Sequence, residues 1–167
     1  MSRHCLVLTL VLGCLATAAS AQHDGGYAEF RNRKIKALSA QLTDDLRQGR
    51  GMGFSLPAEL NGMPGPLYVL QLRDRLSVTP AQAADVERIC EEMTAAAQRL
   101  GASVIQAEAD LDQAFRNGTA DETFIRAMTT RFGALNAELR AAHLIAHLKT
   151  HRLLIDTQLA AYDSARG

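Results

Sequence analysis

Three histidines stand four residues apart near the carboxyl end of the chain, at His143, His147 and His151. In an α-helix, four residues turn the chain by about 400°, so successive imidazoles lie on one face, offset by about 40°. Two histidines at positions i and i+4 can share a transition-metal ion, and Zn, Cu and Ni all accept imidazole nitrogen. The spacing therefore predicts a metal site formed by all three, or by two of them and a carboxylate from elsewhere.

Two other interpretations fit the same histidine spacing. The imidazoles could lie on a solvated helix face, or they could hydrogen-bond to the N-terminal segment of the chain. Glu91, Glu92 and Glu138 are candidate carboxylate donors, and nothing in the sequence selects among them. Because imidazole takes up a proton near neutral to acid pH, the cluster would also release a metal on acidification.

A basic cluster is the second candidate for binding: Arg31, Arg33, Lys34 and Lys36. It could bind the acidic surface of a partner or client protein, or it could be one solvated helix face. The whole chain has 18 Lys and Arg against 18 Asp and Glu, a formal net charge of zero. This balance argues against non-specific nucleic-acid binding, which needs a basic excess.

Catalytic motifs are missing from the sequence. It contains no G-x-S-x-G, phosphate-binding loop, H-E-x-x-H or C-x-x-C, and the glycine-rich Gly49–Gly53 has no lysine after it. We therefore predict that the protein is not an enzyme.

The N-terminus has the three parts of a secretory signal peptide. Arg3 supplies the charge, residues 5–15 the apolar run, and Ala19-Ser20-Ala21 the cleavage site. The run is about half the ~20 residues of a membrane-spanning helix. We expect cleavage after Ala21 and a periplasmic protein without a transmembrane segment, with a lipoprotein anchored at Cys14 as the less favoured alternative. Cys90 would then be the only cysteine left, either buried as a small hydrophobe or paired between chains.

The helices that position these residues can be predicted from the capping residues at their ends. Absence of Trp and scarcity of β-branched clusters favour an all-α fold. Thr79-Pro80-Ala81-Gln82 is a capping box with Pro at the first helical position, and Asn117-Gly118 ends the helix that it starts. The sequence predicts a second long helix after Thr119, with Thr119-Ala120-Asp121-Glu122 as its capping box and Asp156 capping a last helix to Tyr162.

Shorter helices precede this pair. We predict helices over Tyr27–Ala37, from Ser39 to Gln48, and from Pro66 to Leu76, with a helical turn at Leu56–Leu60. Residues 49–66 hold five Gly and three Pro, which indicates a connector, and its apolar residues indicate that it packs against the rest of the chain. The predicted organisation is a signal peptide (1–21), an N-terminal helical arm with the connector (22–65) and a helical hairpin domain (66–167).

Apolar residues recur at steps of three and four along both long helices. This predicts an antiparallel αα-hairpin with the shorter N-terminal helices packed on it. Because a two-helix unit buries little surface alone, we also expect a homodimer. Large apolar residues that lie off the repeat, such as Ile105, Phe115 and Ile145, would pack under the N-terminal helices or against a second chain.

The order of these motifs resembles the Spy/CpxP-like and periplasmic heavy-metal-sensor superfamily, whose members carry two L-T-x-x-Q motifs. The first motif reads Val78-Thr79-Pro80-Ala81-Gln82, and the second reads Leu154-Ile155-Asp156-Thr157-Gln158, with Ile155 in place of Thr. The similarity covers about residues 66–167. Thr79, Gln82 and Gln158 are thereby identified as helix-capping residues of the motifs.

The resemblance implies an elongated helical hairpin, commonly a dimer, in an exported stress protein. Members include metal-binding resistance sensors, ATP-independent periplasmic chaperones and inhibitors of envelope-stress sensor kinases. Metal-sensing members use His and carboxylate ligands, which the His143-x-x-x-His147 pair resembles. The basic stretch from Arg31 to Lys36 is similar to basic surfaces of the chaperone and inhibitor members. We therefore expect a metal-responsive protein, with a chaperone or kinase-inhibitory adaptor as the alternative.

Overall fold

The computed structural model describes residues 26–166, which form seven α-helices and no strand. The predicted signal peptide and Cys14 lie outside these residues. The helices are α1 (Gly26–Arg31), α2 (Ala40–Gln48), α3 (Leu56–Glu59), α4 (Pro66–Gln71), α5 (Pro80–Asn117), α6 (Glu122–Leu153) and α7 (Asp156–Arg166). The all-α prediction is confirmed over this part of the chain.

The two longest helices begin and end where local chemistry places them. At the start of α5, the Thr79 hydroxyl accepts from the Gln82 N–H, and the Gln82 side chain accepts from the Thr79 N–H. Gly118 ends α5 in the left-handed conformation, with φ of 67°. Helix α5 contacts α6 more extensively than any other pair of described helices contact each other.

Helix α2 packs against the middle of α5 around the first of two core clusters. Its members are buried apolar side chains from the segment before α2, from α2, α5 and α6: Leu38, Leu46, Ala97, Val104 and Leu139. Gly101 of α5 lies so close to α2 that a Cβ there would stand 2.1 Å from the Leu46 carbonyl oxygen. The absence of a side chain at Gly101 therefore sets the distance between these helices.

The second core cluster joins α4, α5 and α7. It consists of Val69, Leu76, Val86, Leu154 and Tyr162, which are all nearly or fully buried. The connector lies against α6, which α3 within the connector and α4 directly after it both contact. The prediction that the connector packs against the rest of the chain is confirmed, and so is the helical turn starting at Leu56.

Several predicted helix boundaries are wrong. Helix α1 ends at Arg31, and residues 32–37 form turns, because Ile35 and Leu38 are drawn into the first core cluster. Helix α4 ends at Gln71, and turns then lead to Ser77, whose φ of 50° is incompatible with a continuous helix.

The caps of the last two helices also differ from the prediction. Asp121, not Thr119, caps α6 by accepting from the Phe124 N–H. Thr119 instead donates its hydroxyl to the carbonyl of Ala114 and completes the end of α5. Asp156 is the first residue of α7 rather than its cap, and α7 continues past Tyr162 to Arg166.

Within residues 26–166, none of the helices combines the length and the apolar character needed to cross a membrane.

Candidate functional site

His143 and His147 lie on the inward face of α6 and are almost fully buried, with 3% and 4% of their surface exposed. Their spacing of four residues places both on the side of α6 that the connector covers. The solvated-face interpretation is therefore wrong for these two residues.

His147 is held by the connector. Its Nδ1 lies 2.9 Å from the carbonyl oxygen of Met63, and because a carbonyl only accepts, Nδ1 carries the hydrogen. In the neutral imidazole this leaves a lone pair on Nε2, which lies 3.7 Å from Glu59 Oε1. Glycine at position 65 lets the connector backbone lie close to the His147 ring, since a Cβ there would stand 2.9 Å from His147 Cε1. The ring is thus oriented by the backbone of the connector.

His143 has no comparable partner. Its Nε2 is buried and makes no hydrogen bond, and its ring lies 6.1 Å from the ring of Phe54. Burial lowers the pKa of His143, and the neighbouring His147 lowers it further. His143 is therefore a buried neutral base with an unused ring nitrogen.

The two histidines line one pocket of about 360 Å³ between the connector, α4, α5 and α6. Ser55 and Glu59 contribute from the connector and α3, and the Ser55 hydroxyl donates to Glu59 Oε1 over 2.9 Å. From α5, the pocket is lined by Cys90, Met93 and Thr94. Burial raises the pKa of the Cys90 thiol, and the carboxylate of Glu91 raises it further, so the thiol is kept in its protonated form.

The third predicted ligand is separated from the other two. His151 is half-buried and does not line this pocket. Among the carboxylates predicted as metal ligands, Glu92 forms exposed ion pairs with Lys149 and Arg88, at 3.2 and 3.1 Å. Across residues 26–166, no three or more His, Cys, Asp and Glu side chains are gathered in an arrangement that could hold a metal ion as it stands.

Glu59, Ser55 and Met63 are functional candidates that sequence reasoning missed. They lie at least eighty residues before the histidines in the chain. The only signal for them was the apolar content of the Gly/Pro-rich connector, which indicated packing but not the helix face on which it packs.

Two of the predicted capping residues, Gln82 and Gln158, contact each other. Gln82 and Gln158 exchange side-chain hydrogen bonds of 2.9 and 3.0 Å, and Gln82 also donates to the carbonyl of Leu153, at 2.7 Å. Gln158 donates in the same way to the carbonyl of Ser77, at 3.2 Å, and accepts from the Ile155 N–H. The two motifs therefore form a near-symmetric junction between the starts of α5 and α7.

The basic cluster extends from the end of α1 into the turns that follow it. Arg31, Lys34 and Lys36 are exposed, whereas Arg33 is mostly covered, pairs with Glu29 at 2.5 Å and stacks over the Phe30 ring at 4.1 Å. These residues are distant in sequence from the histidine pocket and none of them lines it.

Comparisons with known proteins add no relative: no family model, no curated protein and no solved structure matches this chain.

Proposed function

We propose that this chain is an exported, metal-responsive helical protein of the Spy/CpxP-like type. In this proposal a Zn, Cu or Ni ion binds in the pocket between the connector and α6, with His143 and His147 as ligands. The observation that carries the proposal is that both imidazoles are buried in one pocket, while the Nε2 atom of His143 has no hydrogen-bond partner.

The orientation of His147 supports this role. Metal-ligating histidines characteristically donate their second ring N–H to a carbonyl or carboxylate, which fixes the tautomer and the ring plane. The Met63 carbonyl does this for Nδ1 of His147. The nitrogen left for a ligand is Nε2, on the side of Glu59.

Glu59 is the proposed third ligand. Two atoms that each bind one tetrahedral ion at about 2.0–2.1 Å stand roughly 3.3 Å apart. The 3.7 Å between His147 Nε2 and Glu59 Oε1 exceeds this by a few tenths of an ångström. A shift of a few tenths of an ångström would bring these two atoms to that separation, and metal binding would thereby draw Glu59, at the end of α3, toward α6. Such a coupling gives a metal-responsive protein its readout.

The test is metal titration of the purified, tag-free protein by native mass spectrometry and calorimetry. We expect one Zn, Cu or Ni ion per chain, reversed by a chelator and lost in the His143→Gln/His147→Gln double variant. His151→Gln is the matched control, because His151 lies on the same helix outside the pocket. Glu59→Gln keeps an acceptor for the Ser55 hydroxyl and should weaken binding without unfolding. Metal binding that is unchanged in the double variant would contradict the proposal.

A second candidate function is an ATP-independent chaperone or an inhibitory adaptor of a sensor kinase. It is favoured by the number of large apolar side chains at the surface, among them Leu60, Leu67, Phe115 and Ile145, at 80%, 53%, 59% and 51% exposure. Such residues could bind unfolded clients. They could also form the interface of a homodimer, which we propose because these side chains are exposed. Suppression of client aggregation in metal-free buffer, at less than one protein per client, would favour this candidate.

A further inference from the structure

The N-terminal part of the structure exposes aromatic and basic side chains together. We define the aromatic-basic patch as Tyr27, Phe30, Arg31, Arg33, Lys34 and Lys36. Tyr27 is 70% exposed and Phe30 44% exposed, although the fold has apolar clusters in which other large side chains are buried. We propose that this patch docks the protein on the anionic phospholipid surface of a membrane.

The charge of the patch supports an anionic occupant. Residues 27–37 contain four cations and one anion, Glu29, whereas the whole chain has a net charge of zero. Glu29 is neutralised by its ion pair with Arg33. Arg31, Lys34 and Lys36 therefore remain exposed for phosphate groups, as in basic segments that bind anionic bilayers.

The aromatic residues support a bilayer rather than an acidic polypeptide. The rings of Tyr27 and Phe30 lie 6.5 Å apart and, with Arg31, Lys36 and Ala37, line a recess of about 470 Å³. Its apolar lining with a cationic rim matches the upper acyl chain and phosphate of a phospholipid. Aromatic rings and long cationic side chains both favour the boundary between hydrocarbon and headgroups, where a helix can lie without crossing.

The fold holds the patch at the surface. Leu38 is 6% exposed and, with Ile35 packed beside it, joins the first core cluster directly after the basic residues. These two residues anchor the turns, while the two rings and the exposed cations Arg31, Lys34 and Lys36 remain at the surface. Docking would therefore not require the helices behind the patch to rearrange.

The experiment is flotation of the purified protein with vesicles of phosphatidylcholine alone or with phosphatidylglycerol, in metal-free buffer. We expect binding only to the anionic vesicles, weakened by added salt. Lys34→Ser/Lys36→Ser should lower the partition coefficient roughly tenfold to thirtyfold, since each basic residue near an anionic surface contributes about fivefold. Arg99→Ser/Arg140→Ser is the matched control, because it removes the same charge from exposed positions of α5 and α6 and should bind as the parent does.

Tyr27→Ser/Phe30→Ser separates a membrane from an acidic protein as the occupant. Loss of vesicle binding in this variant supports docking on a bilayer, because an acidic polypeptide needs the cations but not the rings. Several results would overturn the proposal: no binding to anionic vesicles, equal loss in the arginine control, or vesicle binding that is retained without the rings and displaced by polyglutamate. The last result would identify an acidic protein as the partner.

Discussion

Replacing Gly101 and Gly133 by alanine, one at a time, tests how closely α2 packs against α5. Both glycines lie inside long helices, where replacement by alanine normally stabilises by about 0.5–1 kcal/mol because alanine loses less backbone entropy. At Gly133 a Cβ would meet nothing within 4 Å. Gly133→Ala should therefore raise the free energy of unfolding by that amount.

Gly101→Ala should have the opposite sign. The new Cβ would stand 2.1 Å from the Leu46 carbonyl oxygen, and ordinary contact begins at 3.4 Å, so α2 must move by about 1.3 Å. The carbonyl cannot simply rotate away, because it accepts from the Gly49 N–H in the cap of α2. Forcing atoms into a packed core typically costs about 1–3 kcal/mol, which exceeds the propensity gain. We expect a net loss of about 1–2 kcal/mol.

The assay is urea-induced unfolding of the two variants and the parent, followed by far-ultraviolet circular dichroism. The urea midpoint of Gly133→Ala should lie above that of the parent, and the midpoint of Gly101→Ala should lie below it. Because α2 leads directly into the connector, Gly101→Ala should also weaken metal binding more than Gly133→Ala does. If Gly101→Ala proves as stable as Gly133→Ala, then α2 does not lie at this distance from α5 and the packing argument is refuted.

Two further predictions concern α7 and the histidine pocket. Ile155→Thr should stabilise the protein by at most about 0.5 kcal/mol, because a hydroxyl at this exposed position could accept from the Gln158 backbone N–H, as the Thr79 hydroxyl does from Gln82. The gain is small because the Gln158 N–H already donates to the Ile155 carbonyl, at 2.9 Å. Thermal unfolding measures it, and an equal gain in Ile155→Val would contradict it. Burial holds the pKa of His143 below its usual value, so the unfolded chain takes up a proton first as the pH falls. In chelator, the free energy of unfolding should decline below about pH 6.5, by at most ~1.4 kcal/mol per pH unit until the folded pKa is passed. His143→Gln should flatten this decline, and an unchanged slope would show that His143 is not its source.

The start and the end of α5 could be predicted because a cap is a local structure. The hydroxyl of Thr79 and the amide of Gln82 satisfy backbone groups within three residues, and Gly118 adopts a conformation that most residues avoid. At the end of α1, where the predicted boundary is wrong, a distant contact has overridden the local pattern. Residues 32–37 could have continued α1, but Ile35 and Leu38 are packed against a core formed by α2, α5 and α6.

The candidate site also combines features that follow from the local sequence with features that depend on distant contacts. The sequence by itself determined that His143 and His147 share one helix face, because helical periodicity is a property of neighbouring residues. It also determined where α5 starts, through the Thr79–Gln82 box. Only the tertiary structure decided that the connector covers these two histidines and not His151, that Glu59 is the nearby carboxylate, and that Gln82 pairs with Gln158. These contacts join residues more than seventy positions apart, and they depend on the close approach of α2, the connector and the long helices, which no local pattern specifies.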